Sequence, residues 1–269
     1  MSLLDAIILG IVQGLTEFLP VSSSGHLVIV SSLLSGGKAA PLSFDAAVHA
    51  GSLLAVLLYF RREIRDMFVA LLARIRAPRA ATASSEERLI LAIIVGTLPV
   101  AIIGLAANDA IERAFSSPIF ALNMLLVTAG VLVVADIVAA SRARSSSWPS
   151  MPRALLIGVF QAAALLPGLS RSGSTIAGGL FAGLDRETAM RFSFLLAIPS
   201  ISGALLFALK DLAETGFADI ALFAAGLLTS FVVSLFAIVF LLRTFRQRPF
   251  TVFAAYCVVI SFIGRFVIR

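Results

Sequence analysis

Residues 13–26 read QGLTEFLPVSSSGH, and a stretch of the same pattern, QAAALLPGLSRSGS, occupies residues 161–174. The two stretches align without gaps, so that Gln13 matches Gln161, Ser22 matches Ser170, Ser24 matches Ser172 and Gly25 matches Gly173. A glutamate and a histidine occur in the first copy alone, and an arginine occurs in the second copy alone. The duplication therefore predicts two similar backbone elements that contribute different polar groups to one asymmetric site.

The composition indicates the solvent in which these elements fold. Hydrophobic residues make up 59% of the chain and charged residues 13%, against roughly 45–50% and about 25% in globular domains. Several uncharged stretches approach the ~20 residues that a helix needs to cross ~30 Å of hydrocarbon. We therefore predict an all-α integral membrane protein, a single membrane domain over residues 1–269, with six transmembrane helices in or near 46–60, 89–108, 114–135, 192–209, 220–242 and the segment between Arg248 and Arg265.

The distribution of charge predicts the topology. The net charge is +6, and the arginines are concentrated in 61–88, 141–153 and 243–248, whereas 107–117 and 210–219 carry more acidic than basic residues. This alternation is typical of the positive-inside rule. We therefore predict a cytoplasmic loop at about 61–88 and assign the basic segments to membrane lipid headgroups rather than to nucleic acid.

Following this alternation along the chain requires each copy of the motif to begin and end on the same side of the membrane. The copies then form two re-entrant helical hairpins, at about 2–36 and 152–184, within two inverted repeats, at about 1–140 and 151–269. Ordinary transmembrane helices kinked by proline are the alternative.

Both predicted hairpins contain a break. Pro20 and the serines after it interrupt the first, and Pro167 with Gly168 interrupts the second. Irregular backbone at membrane depth is tolerated only where protein or a wet cavity satisfies its polar groups. Broken helices in inverted halves are also the usual sign of a binding site near the midplane. The breaks are therefore where we expect the functional site.

The small polar residues of the breaks predict an anion site. Backbone N–H groups and hydroxyls near helix starts bind anions, and Arg171 adds a planar cation that can hold phosphate oxygens. An arginine at membrane depth is usually functional, although a structural pairing of Arg171 with Glu17 remains open beside that role. The candidate phosphate-binding residues are Ser22, Ser24, Gly25, Ser170, Ser172 and Gly173.

Glu17 and Gln13 lie four residues apart and therefore share one helix face. A carboxylate beside a phosphate site suggests a divalent cation between them, held by the oxygens of both side chains in the manner of Mg²⁺ or Ca²⁺. Zinc is less favoured, because the sequence contains no cluster of Cys and His ligands. A helix-packing role for Gln13, like that expected for Gln161, remains the alternative.

His26 follows the serine-rich turn and could act as general base, general acid or direct nucleophile toward phosphorus. Ser23 is the candidate nucleophile among the serines, because it lies three residues before His26 and matches Arg171 in the second copy. The other histidine, His49, lies one helical turn from Asp45, and its role stays open between structure and function.

These motifs resemble the two signatures of the bacterial undecaprenyl-diphosphatase family of the bacitracin-resistance type. The runs at 13–26 and 166–175 carry the resemblance, and 51–56 and 96–101 extend it over most of the chain. The resemblance implies hydrolysis of undecaprenyl diphosphate to undecaprenyl phosphate and inorganic phosphate. It further implies recycling of the lipid carrier for peptidoglycan synthesis, lower sensitivity to bacitracin, and a location in the bacterial inner membrane with the site open to the periplasmic face.

The resemblance also implies roles for individual residues. It identifies Gln13 and Glu17 as the acidic motif that requires a divalent metal, and it adds Thr175 to the phosphate-binding segment formed by Ser170 and Arg171. Many members of the family have glutamate where this chain has Gln13. Of the two remaining catalytic candidates, Ser23 and His26, the resemblance does not select the nucleophile.

A polyprenyl-phosphate transporter or flippase is the alternative function, because opposed hairpins in inverted repeats are also transporter architecture. A transporter would use Arg171 but would have no need of Ser23 and His26. The sequence also leaves open whether the protein forms a homodimer.

Overall fold

A computed structural model describes residues 1–34, 42–76, 83–115, 117–141, 145–215 and 220–267. The segments 35–36, 77–82, 142–144 and 216–219, which belong to the predicted first hairpin, cytoplasmic loop, basic segment and acidic segment, lie outside the described residues. The helices are α1 (Leu3–Thr16), α2 (Ser23–Leu34), α3 (Leu42–Tyr59), α4 (Arg61–Arg76), α5 (Ser85–Ala106), α6 (Asn108–Phe115), α7 (Pro118–Ser141), α8 (Met151–Ala163), α9 (Arg171–Phe181), α10 (Arg186–Thr215), α11 (Ile220–Thr244) and α12 (Thr251–Val267).

Four of the described helices, α5, α7, α10 and α11, are long and apolar enough to cross a membrane. A fifth span results if α3 and α4, which meet at a bend of 71°, are counted together. Large side chains such as Ile102 and Leu105 are exposed on these helices, as lipid-facing residues are. The chain is therefore an all-α, multi-pass membrane protein. The count of six transmembrane helices stays a prediction, because α3 bends into α4 and α12 has only 17 residues.

The predicted loop at 61–88 contains the amphipathic helix α4. Arg74 donates to both carboxylate oxygens of Glu87 at the start of α5, at 3.0 and 2.7 Å. Glu63 pairs with Arg191 of α10. These two ion pairs hold α4 against the helices beside it, and its apolar residues Phe68 and Ile75 stay exposed.

The two motif copies each form a pair of short helices with a break between them. Helix α1 has 14 residues and α8 has 13, so that each is about 20 Å long and too short to cross ~30 Å of hydrocarbon alone. Each first helix packs against the second helix of its own pair, α1 against α2 and α8 against α9. The breaks lie between Thr16 and Ser23 and between Ala163 and Arg171.

Each pair also packs against a long helix from the other half of the chain. Helix α1 contacts α11, and α8 contacts α5. Small residues bring the backbones close: a Cβ on Gly14 would lie 2.8 Å from the carbonyl oxygen of Ser230, and Gly158 faces Gly96. Such contacts are typical of helix packing in membranes, where small residues permit close approach. This packing fixes the ends of α1 and α8, and with them the breaks.

Candidate active site

The two breaks contact each other directly. The Ser172 hydroxyl donates to the Leu19 carbonyl at 3.0 Å, and the Gly168 N–H donates to the Ser24 hydroxyl at 3.4 Å. A Cβ on Gly25 would lie 3.2 Å from the Cα of Gly168. The motifs separated by 148 residues in sequence therefore build one site.

The second break depends on Gly168 and Thr128. Gly168 has φ +89°, and a Cβ there would collide with the Ala121 carbonyl of α7, so that only glycine fits. The Thr128 hydroxyl donates to the Gly168 carbonyl at 3.0 Å and accepts from the Ser170 N–H at 3.0 Å. Helix α7 thus provides hydrogen-bond partners for backbone groups of the second break, which lipid could not provide.

Glu17 forms the centre of the site. Its Oε1 accepts from Arg171 Nη2 at 2.5 Å. Its Oε2 accepts from the Ser23 hydroxyl at 2.6 Å and from Gln13 Nε2 at 2.9 Å. The Glu17 side chain is only 6% exposed, so these donors replace the water that a carboxylate normally requires. The structure therefore contains the pairing of Glu17 with Arg171 that the sequence left open, and Glu17 also bonds to Ser23.

Two buried atoms at this centre have no hydrogen-bond partner. They are Gln13 Oε1 and Arg171 Nη1, and they are the two such buried side-chain atoms in the described part of the chain. Buried polar groups are almost always paired, so an unpaired one requires an explanation. One is an acceptor and the other a cationic donor, which suits a ligand that combines a cation with an anion.

Two residues of α3, His49 and Ser52, also lie at this centre, although the sequence did not assign them to it. His49 Nε2 lies 3.8 Å from Glu17 Oε2, and its Nδ1 lies 2.8 Å from the Asp45 backbone carbonyl. Ser52 lies 3.5 Å from Gln13 Nε2. Ser52 could have been found by extending the repeat, because Ser200 occupies the equivalent position in the second half.

His26 has a different set of partners from Ser23. Its Nδ1 lies 2.7 Å from the Ser22 carbonyl, and its Nε2 lies 2.9 Å from the hydroxyl of Tyr256 on α12. Ser22 has φ +71°, a strained conformation for a residue other than glycine, of the kind found at active sites. The site thus extends from Glu17 to α12, and no sequence signal indicated Tyr256.

The remaining predicted phosphate ligands bond within the breaks. Ser170 accepts from the Gly173 N–H at 3.0 Å and caps α9, and Thr175 donates to the Arg171 carbonyl at 2.8 Å. Ser22 accepts from the Gly25 N–H at 3.4 Å. These bonds stabilise the breaks, and a role of the same groups in phosphate binding stays a prediction.

The side-chain oxygens at the centre are compatible with binding of a hard divalent cation. No group of three or more His, Cys, Asp or Glu residues that could hold a metal occurs in the described ranges. The unpaired Gln13 Oε1 and the Glu17 carboxylate are nevertheless oxygen donors in adjacent turns. Mg²⁺ is commonly held by one or two protein oxygens together with water and substrate phosphate, which this set would allow.

A comparison with protein families and a comparison with known proteins agree on the family of this chain. Residues 6–263 match the family described as BacA, bacitracin resistance protein BacA. The chain is 41% identical to the undecaprenyl-diphosphatase of Desulforapulum autotrophicum over 98% of both chains. It is 43% identical to that of Syntrophotalea carbinolica, over 96% of this chain and 95% of the relative, and 45% identical to that of Desulfosudis oleivorans, over 96% of both. The resemblance of the motifs is confirmed, and the chain belongs to the BacA family of bacitracin resistance proteins.

Proposed function

We propose that this protein hydrolyses undecaprenyl diphosphate to undecaprenyl phosphate and inorganic phosphate. The relatives named undecaprenyl-diphosphatase match it over nearly their full length. The observation that carries the proposal is the group around Glu17: a hydroxyl bonded to a buried carboxylate, beside an arginine with an unpaired N–H. This combination supplies a nucleophile, a base and a phosphate clamp.

Ser23 attacks the terminal phosphorus in this proposal. Its hydroxyl already donates to Glu17, which accepts the proton as the oxygen bonds to phosphorus. The bond from phosphorus to the bridging oxygen breaks, and undecaprenyl phosphate leaves. Arg171 Nη1 donates to the phosphoryl oxygens, whose charge it stabilises in the transition state.

Water then hydrolyses the phosphoserine and returns the protein to its starting state. His26 lies three residues after Ser23 on α2, and residues at this spacing are neighbours on a helix face. We assign to its Nε2 the acceptance of a proton from the attacking water. The phosphate leaves with the proton that His26 had accepted, and the Ser23 oxygen recovers its proton from Glu17. Direct attack by His26 is the alternative that remains from the sequence.

A divalent cation, Mg²⁺ or Ca²⁺, fits the same scheme. Gln13 Oε1 and Glu17 would hold it, and when bound it would neutralise part of the charge of the diphosphate. The serines and glycines at the starts of α2 and α9, together with Thr175, would complete the phosphate site: Ser22, Ser24, Gly25, Ser170, Ser172 and Gly173.

The finer topology belongs to the same proposal. Six transmembrane helices and two re-entrant hairpins, α1–α2 and α8–α9, would form two inverted repeats in the bacterial inner membrane. The site would open to the periplasmic face, where the reaction regenerates the lipid carrier for peptidoglycan synthesis. Removal of the diphosphate that bacitracin sequesters would lower sensitivity to the antibiotic. The packing of α1 on α11 and of α8 on α5 supports the repeat, because each short helix contacts the other half.

The proposal is tested with purified protein in detergent, undecaprenyl diphosphate and Mg²⁺. We expect phosphate and undecaprenyl phosphate in equal amounts, and a loss of at least about 1,000-fold in kcat for Glu17→Gln, which keeps the side-chain shape but removes the base. Absence of phosphate release by the wild-type protein, or near-normal turnover by Glu17→Gln, would contradict it. Movement of the lipid across vesicles without hydrolysis would instead favour the flippase.

A further inference from the structure

Both ring nitrogens of His26 are engaged within the protein. Nδ1 faces the Ser22 carbonyl at 2.7 Å, and a carbonyl only accepts, so Nδ1 carries the hydrogen. Nε2 of the neutral ring then has a lone pair, which accepts from the Tyr256 hydroxyl at 2.9 Å. The rings of His26 and Tyr256 are also nearly parallel, with centroids 5.5 Å apart. In this state His26 offers no free nitrogen to a substrate or to water.

Tyr256 connects this buried histidine to the lipid-facing surface. His26 is 6% exposed and Tyr256 is 41% exposed. Val252, Val259 and Ile263, which lie one to two turns from Tyr256 on the same face of α12, are all more than half exposed. The Tyr256 ring therefore belongs to an exposed apolar stripe of the kind that faces lipid, while its hydroxyl reaches His26 on α2.

A substrate with a polyprenyl tail has to reach the site from the side. Withdrawing such a tail from lipid costs about 0.8 kcal/mol for every CH₂ group, so the headgroup must move inward while the tail stays in the bilayer. Tyr256 joins His26 to this exposed stripe, and its hydroxyl occupies Nε2 of His26. A headgroup that reaches Nε2 by this route must first replace the Tyr256 hydroxyl.

We propose that Tyr256 is a latch that holds His26 in a resting state and opens when the diphosphate headgroup enters between α2 and α12. This inference rests on the proposed function, because it assumes that His26 acts through Nε2. Tyr256 is a positioning residue: it acts through His26 and takes no part in bond making or breaking. Binding of the substrate thereby frees Nε2 of His26. Water that enters without substrate finds this nitrogen already bonded to the Tyr256 hydroxyl.

The latch is tested first by the reactivity of Nε2. Diethyl pyrocarbonate acylates an unprotonated imidazole nitrogen, and mass spectrometry separates the products at His26 and His49. In Tyr256→Phe, which keeps the ring but lacks the hydroxyl, we expect modification of His26 to be at least about fivefold faster, as for loss of one hydrogen bond. The rate at His49 is the internal reference and should not change. Equal rates at His26 in both proteins would overturn the proposal.

A second test follows the latch in the unmutated protein. The chain contains two tyrosines, so labelling with 3-fluorotyrosine gives two ¹⁹F resonances, which Tyr59→Phe and Tyr256→Phe assign. A methylene-bridged analogue of undecaprenyl diphosphate, which cannot be hydrolysed, should shift the Tyr256 resonance and leave that of Tyr59 in place. An unmoved Tyr256 resonance at saturating analogue would overturn the latch, even if Tyr256→Phe did not fold.

The two tests separate the latch from the proposed function, because neither requires turnover. If the wild-type protein hydrolyses the lipid while both tests fail, the latch alone is rejected. If both tests succeed while purified wild-type protein releases no phosphate, the hydrolase function is rejected and the latch remains as part of a lipid-binding site.

Discussion

Gln13 and Gln161 are both buried, but only Gln161 has a partner for its amide oxygen. Ser200 donates to Gln161 Oε1 at 3.1 Å, and Gln161 Nε2 donates to the Gly96 carbonyl at 3.3 Å. Gln13 Nε2 bonds to Glu17, and Gln13 Oε1 bonds to nothing in the described residues. Equivalent residues of the repeat thus differ: both polar atoms of the Gln161 amide are bonded, whereas Gln13 has an unpaired oxygen that would hold a metal ion in the proposed function.

Gln13→Met should impair the response to metal, because it removes the unpaired oxygen and keeps the length of the side chain. We expect the Mg²⁺ concentration for half-maximal activity to rise about 10- to 100-fold, the range seen when the surroundings of a metal are disturbed. Gln161→Met is the matched control and should lower the melting temperature without changing the response to Mg²⁺. Identical Mg²⁺ titrations of Gln13→Met and the wild-type protein would contradict the assignment.

Arg171→Lys should lower kcat/KM by about 100-fold or more, because lysine keeps the charge but loses the planar pair of N–H groups. The variant could still pair with Glu17, so the loss would report on the unpaired Nη1. Arg191→Lys is the control, because Arg191 also forms an ion pair between helices, with Glu63. Phosphate-release assays should give less than about a threefold change for this control. Equal losses in the two variants would argue against a phosphate clamp at Arg171.

His26→Gln should accumulate a phosphorylated Ser23 during turnover, because the first step uses Glu17 and the second uses His26. Intact-protein mass spectrometry after rapid quenching should detect the added phosphate, and fragmentation should place it on Ser23. Ser23→Ala provides the comparison and should carry no phosphate and show no turnover. If Ser23→Ala kept its activity, Ser23 would be excluded as the nucleophile, and a phosphate found on His26 would identify the histidine in its place.

Gly168→Ala should destabilise the protein far more than Gly183→Ala. Both glycines have a positive φ, +89° and +83°, so each substitution carries the ~1–2 kcal/mol cost of a left-handed residue. A Cβ at Gly183 meets no atom within 4 Å, whereas a Cβ at Gly168 meets the Ala121 carbonyl. Thermal unfolding in detergent measures the difference, and a similar decrease in melting temperature for both would show that α7 can yield at this point.

Much of the site could be predicted from the repeat. The alignment at 148 residues indicated that the breaks belong together, and the structure places Glu17 and Arg171 in contact. The separation of three residues in sequence associated Ser23 with His26, but the Ser23 hydroxyl bonds to Glu17. Spacing along a helix predicts which side chains are neighbours. The partner to which a hydroxyl donates also depends on the turn that joins the two helices.

The contributions of distant helices could not be predicted in the same way. Tyr256 meets His26 across 230 positions of sequence, and a single tyrosine in an apolar helix is an ordinary residue by composition. The buried pair of Arg186 and Asp136, at 2.5 Å, likewise joins α10 to α7. Such contacts follow from how long helices pack, and the uniform apolarity of these helices leaves many packings compatible with the sequence.

The bond between Glu17 and Arg171 has a consequence for selectivity among phosphate compounds. Glu17 already accepts from Nη2, so an incoming phosphate that binds the unpaired Nη1 meets a guanidinium whose charge is partly offset by a neighbouring carboxylate. In the proposed function, a diphosphate accompanied by a metal ion brings enough charge and oxygens to bind there, whereas a monophosphate brings less charge and fewer oxygens. We therefore expect both monophosphate products to leave readily and accumulated inorganic phosphate to inhibit only weakly.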